Sequence, residues 1–170
     1  MKSKRITLCG LLTALAIVLS LAERLFPLDA VVPVPGVKLG LANVVTLFAL
    51  TRLPSRDAAA ILLCRVALSA LLMGSVTAFL FSLFGGVLSL LVMWALLRAE
   101  GKFCSLLGVS VAGAAAHNVG QVLAAVIWMK TSAVASYLPF LLLMSVPLGL
   151  ITGLTCAAAL AHMKKIDFDV

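Results

Sequence analysis

Six long apolar runs, parted by short polar or proline-containing breaks, dominate this chain of 170 residues. A helix that crosses a bilayer needs about 20 mostly apolar residues. The runs fall at about 6–26, 39–52, 57–73, 76–97, 104–129 and 135–161. A globule of this length could not hide so much apolar surface, because a small domain has a large area for its volume. Composition agrees. The chain is 64% apolar and 11% charged, where a soluble domain has about 45–50% apolar residues and about 25% charged ones. A soluble domain, a disordered chain and a coiled coil are excluded. The expected fold is an all-α membrane protein, a six-transmembrane-helix bundle, forming one integral membrane domain over residues 1–170.

The first run has a basic start, which is also the outline of a signal peptide. No small-residue cleavage site follows, and the run continues into Glu23-Arg24-Leu25-Phe26. It reads as a retained first span. The net charge is +7. The basic residues form small clusters between apolar runs, without the basic face that nucleic-acid binding needs, so no nucleic acid is expected. Lys2, Lys4, Arg5, Arg52, Arg56, Arg98, Lys102, Lys164 and Lys165 fall on one side of the spans, nine in all, against Arg24, Lys38 and Lys130 on the other. That bias puts both termini in the cytoplasm, and an even number of spans agrees. Trp128 and Tyr137 flank the outer ends of spans five and six as belt aromatics would.

Cys9, Cys64, Cys104 and Cys156 are far apart in sequence and sit in or beside apolar runs. They imply neither a disulfide framework nor a zinc site, and no metal or cofactor is expected. The one distinctive loop is 27–38, with prolines at 27, 33 and 35. Proline cannot continue a helix, and an X-Pro step favours extended backbone. The segment is expected either to fold over the outer mouth of the bundle or to serve as a stiff external linker.

Three clusters carry the chemistry. Arg65 lies near the middle of span three, where a charge costs about 2.5–3.5 kcal/mol on insertion scales. It must face the interior, either as an anion-binding group or in an internal pair. In span five, His117 and Gln121 are four residues apart and share a helix face, and Asn118 can flank the same cavity. These residues line a site or hold helices together by hydrogen bonds. At the start of span two, Lys38 and Asn43 stand beside Gly36 and Gly40. The free N–H groups and dipole of a helix beginning here would favour an anion, unless Lys38 only snorkels to the headgroups. Glu23 and Arg24 read as interface charges in preference to ligands. In span one, Gly10 with Ala14 and Ala16 with Ser20 form small-xxx-small pairs that let another helix approach.

No Walker loop, no carboxylate cluster for magnesium and diphosphate, and no acid placed to orient His117 can be found. A self-contained enzyme is not expected.

Val34-Pro35-Gly36-Val37-Lys38-Leu39-Gly40-Leu41-Ala42-Asn43, then Arg65, Gly85-Gly86 and His117-Asn118-Val119-Gly120-Gln121, resemble the Gx transporter family over about residues 5–163. That family is also known as heptaprenyl diphosphate synthase component I. The resemblance extends to the S components of energy-coupling factor transporters, six-helix membrane proteins whose first helix docks on a transmembrane coupling subunit with two ATPases. Gly10 and Ala14 would form that docking face, with Gly in place of the usual Ala. The synthase name implies prenyl transfer, but enzymes of that type carry DDxxD motifs and this chain has none. The name therefore implies association with isoprenoid or quinone biosynthesis.

Three expectations follow. The first is an S-component-like subunit in the bilayer that binds a small, anionic or polar molecule from outside through Arg65, His117, Asn118, Gln121, Lys38 and Asn43. Partner ATPases would supply its energy. The second is a membrane accessory subunit of heptaprenyl diphosphate synthase, paired with a soluble prenyl transferase chain. The third is a structural or redox-complex anchor without a pocket. The expected location is the plasma membrane of a prokaryote.

Overall fold

The structure, a computed structural model, describes residues 2–23, 38, 40–99 and 105–165. They form six α-helices: α1 (Lys2–Ala22), α2 (Asn43–Arg52), α3 (Ser55–Met73), α4 (Val76–Arg98), α5 (Leu106–Met129) and α6 (Leu138–Lys165). A 3-10 helix, Ser132–Tyr137, leads into α6. The described residues contain no strand and are all-helical apart from short turns. Four helices, α1, α4, α5 and α6 with the turn before it, are long and apolar enough to cross a membrane. α2 has only 10 residues. α3 carries Arg56, Asp57 and Arg65.

Local chemistry sets the breaks. Pro54 starts α3, and Gly74 ends it in the left-handed region. Ser75 and Ser105 cap α4 and α5, their hydroxyls accepting from the amides of Ala78 and Gly108 at 3.2 Å. Each cap satisfies an N–H that the first helical turn leaves unpaired. Pro147 lies inside α6 and removes one backbone bond there. Such a break is tolerated in lipid where neighbouring helices cover it.

The sequence places span two at 39–52, whereas α2 begins at Asn43. Gly40 is the reason. Its φ of 82° belongs to the left-handed region and forms a turn, closed by the Asn43 amide donating to the Gly40 carbonyl at 2.9 Å.

α2 is the hub of the bundle. It touches α1, α3, α4, α5 and α6, and six of its 10 residues are buried. Around it, α1 packs on α3, α3 on α4, α4 on α5 and α5 on α6. The ring is open between α1 and α6, where an apolar groove of about 300 Å³ runs over α2. Its walls include Leu12, Leu15 and Leu19 from α1 and Thr155, Ala159 and Met163 from α6. The half of the core nearer the starts of α1 and α3 is apolar, with Leu12, Leu47, Ile61, Met93 and Val109 packed together. Arg5 donates to Asp57 and ties the start of α1 to the start of α3.

Candidate functional site

A second apolar cluster gathers Phe81, Val122, Ala124, Ala125, Val134 and Leu141, and another part of the interior is polar. Arg65, 4% exposed, projects from the middle of α3. Its Nη1 donates to Ser20 Oγ of α1 at 3.2 Å, while Nε and Nη2 have no hydrogen-bond partner among the described residues. Ser69, one turn further along α3, is buried with its hydroxyl also unpartnered. Facing them on α4 is a stripe of Ser82, Gly85, Gly86 and Ser89. The spacing of three, four and seven residues puts all four on one side of the helix. A Cβ built on Gly86 would lie 2.7 Å from Leu62 Cδ1 and 3.2 Å from Arg65 Nη2, so the bare backbone lets both side chains pack closely on α4.

α5 contributes His117 and Gln121 from one face, as their spacing predicts. The His117 ring lies between two glycines. A Cβ on Gly40 would come within 3.1 Å of its Cδ2, and one on Gly85 within 3.0 Å of its Cε1. Neither ring nitrogen completes a hydrogen bond of good geometry, though the Gly85 backbone is close by. Asn43, in the first turn of α2, sits on the other side of Gly40, and its amide oxygen and nitrogen are both buried without partners. Unpaired buried polar atoms are costly and uncommon, and here they gather in one layer.

Gln121 has a different task. Its Oε1 accepts from the Lys38 amide at 2.9 Å, and its Nε2 donates to the Lys38 carbonyl at 2.9 Å. It pairs with main chain as an adjacent strand would, and clips the approach to α2 onto α5. Lys38 itself is half-buried, near the layer.

Asn118 points elsewhere. Its Nδ2 donates to the Leu141 carbonyl of α6 at 2.7 Å, which is helix-to-helix bonding. The small-residue face of α1 divides in two: Gly10 and Ala14 are exposed, whereas Ala16 and Ser20 are buried. The pattern of small residues alone could not tell the two pairs apart.

Glu23 corrects the sequence reading. It is not an interface charge but is 4% exposed. Its carboxylate accepts the Leu41 amide in the turn that begins α2, and Ala42 offers a second backbone hydrogen bond. The anion that the start of α2 favours is thus supplied by the chain itself. Arg65 and Lys38 are its charged neighbours, and it closes no ion pair with Arg65. The available signal was the need of a mid-span arginine for a carboxylate, and Glu23 is the acid that directly follows the apolar stretch of the first run. Arg24, Gly36 and the expected cover over 27–37 lie outside the described residues.

No curated protein and no solved structure matches this chain. The family model described as heptaprenyl diphosphate synthase component I matches residues 12–159. That stretch runs from α1 well into α6 and contains every polar residue of the layer, from Ser20 to Gln121. The chain belongs to the heptaprenyl diphosphate synthase component I family.

Proposed function

We propose that this chain is a membrane-embedded binding subunit for a small anionic molecule, working as part of an uptake system. One observation carries this reading. Arg65, Asn43 and His117 converge from three helices in the interior, with Arg65 Nε and Nη2, both amide atoms of Asn43 and both ring nitrogens of His117 unpaired. A purely structural arginine at this depth would be expected to have its donors satisfied, because leaving them unpaired adds to an already unfavourable charge. Lys38 adds positive charge near the layer, with Gln121 holding its backbone. The exposed Gly10 and Ala14 would receive a transmembrane coupling subunit, and partner ATPases would supply energy. The bias of basic residues supports a single bundle with both termini in the cytoplasm.

The test is to purify the wild type and Arg65→Ala in mild detergent and identify bound small molecules and partner chains by mass spectrometry. The expected result is an anion that stays with the wild type and is missing from the variant. Identical small-molecule contents in the two preparations would rule out the Arg65 site.

The family's name favours a second reading, a membrane subunit that assists a prenyl transferase. A soluble DDxxD chain would then co-purify in place of ATPases, and reconstitution would raise its prenyl-transfer rate. An unchanged rate would reject that reading.

A further inference from the structure

The reverse of α4 carries a different surface. Phe84, Val87, Leu91, Trp94 and Arg98 recur every three or four residues and form one strip, on the side opposite the Ser82, Gly85, Gly86 and Ser89 stripe. Phe84, Val87 and Leu91 are exposed. From Phe84 to Arg98 the strip is about 21 Å long, at about 1.5 Å per residue. That length reaches from a headgroup to the middle of a hydrocarbon core about 30 Å thick.

Two hollows meet on the strip. One, of about 280 Å³, lies between α3 and α4, lined by Ser55, Arg56 and Ala59 with Leu90, Leu91 and Trp94. The other, of about 380 Å³, lies between α4 and α5, with Phe84, Val87 and Leu91 facing Gly120 and Leu123. Its lining is apolar, and Leu91 borders both hollows.

The end beside α3 is set for an anion. Arg56 is exposed and closes no ion pair among the described residues. Arg98 lies over the Trp94 ring, 4.6 Å from its centroid. A guanidinium in that position is attracted by the face of the ring and still donates from its own edges. Asp57, the acid in the first turn of α3, is engaged by Arg5 and so does not offset Arg56. Just past α4 the sequence adds one acid and one base, Glu100 and Lys102, and no net charge. A small soluble anion would use the arginines alone. The apolar hollow that continues from them suits a molecule with a charged head and a long tail, and tryptophan at the boundary matches the headgroup level.

From this arrangement we infer that the outer face of α4 is a binding site for an anionic phospholipid. Arg56 and Arg98 take its phosphate, and an acyl chain lies along Leu91, Val87 and Phe84. The site is distinct from the buried polar layer and does not depend on the binding reading above.

Trp94 and Trp128 are the two tryptophans of the chain, so Trp128→Phe makes Trp94 the sole reporter. The full chain with that substitution is placed in phosphatidylcholine vesicles, and Trp94 fluorescence is followed as brominated phosphatidylglycerol or brominated phosphatidylcholine is added. Taking the ratio of the two lipids removes any change in the intrinsic emission of Trp94. Phosphatidylglycerol should be preferred about fivefold or more, the effect of at least one basic group on an anionic lipid. Arg56→Gln with Arg98→Gln should bring the ratio close to one. Lys4→Gln with Lys165→Gln, two cations of α1 and α6 at the same end of the bundle, should leave it unchanged. If the double arginine variant does not fold, Arg56→Gln alone, at an exposed residue, should lower the ratio severalfold. A ratio of one in the parent overturns the inference, and so does an equal fall with both pairs, which would mean attraction by the whole surface without a site. Shielding of Trp94 from both lipids by a second copy of the chain, seen as a cross-linked dimer, overturns it as well.

Discussion

α1 and α5 are both apolar enough to cross a membrane, yet they are placed in opposite ways. Over an 18-residue stretch, α1 has a mean hydropathy of 2.0, and 17% of that stretch is buried. The corresponding stretch of α5 has a mean hydropathy of 1.3, and 61% of it is buried. In water the order would be reversed. In lipid an apolar side chain gains little by turning inward, since the tails outside are as apolar as leucine. Polar side chains must turn inward, and small ones let backbones approach. The difference teaches where to look for chemistry in such a bundle: in the helices whose claim to be a span is weaker.

The sharpest way to break this comparison is one substitution made in both helices. A Cβ on Gly120 in α5 would meet the Phe84 carbonyl oxygen at 2.6 Å and Gly85 Cα at 2.8 Å, both backbone atoms of α4. Gly120→Ala should destabilise by about 1–3 kcal/mol, seen as a lower Tm in detergent. Gly10 in α1 has nothing within 4 Å of its built Cβ. Gly10→Ala should hold or slightly raise the Tm, through better helix propensity. Equal effects would remove the contrast.

A second effect, within the same range, belongs to the clip. Gln121→Ala removes both bonds to Lys38 and should cost about 2 kcal/mol, at about 1 kcal/mol for each bond. Amide exchange at Lys38 should quicken while that in the middle of α5 stays slow. Smaller again is Asn118→Ala, which removes the bond to Leu141. Interhelical bonds in lipid average about 0.6 kcal/mol, and reversible unfolding should show a loss of that order. Smallest is Asp57→Asn at the start of α3. Its bond with Arg5 lies in an exposed place, where ion pairs add little, and the Tm should not move measurably.

The helix order was legible because its punctuation was plain: Pro54, Gly74-Ser75 and Ser105 all fall where a run ends or begins. Arg65, His117 and Asn43 were legible as inward-facing because lipid leaves them no other place. The partners were harder to read. Ser69, Ser82 and Ser89 sit in runs that are apolar on every side, so periodicity did not say which face was inner. Asn118 turned to α6, because neighbours in a helix are about 100° apart and two packing helices divided them. Glu23 was missed because an acid at the end of a span looks like any headgroup neighbour. Its burial depends on the turn at Gly40, which brings the start of α2 down onto it.

The clip between Gln121 and Lys38 touches main chain only. The contact therefore places no demand on which side chain stands at position 38, apart from excluding proline, which has no amide to donate. A neutral or acidic residue at that position would leave this clip in place and change the charge near Glu23 and His117.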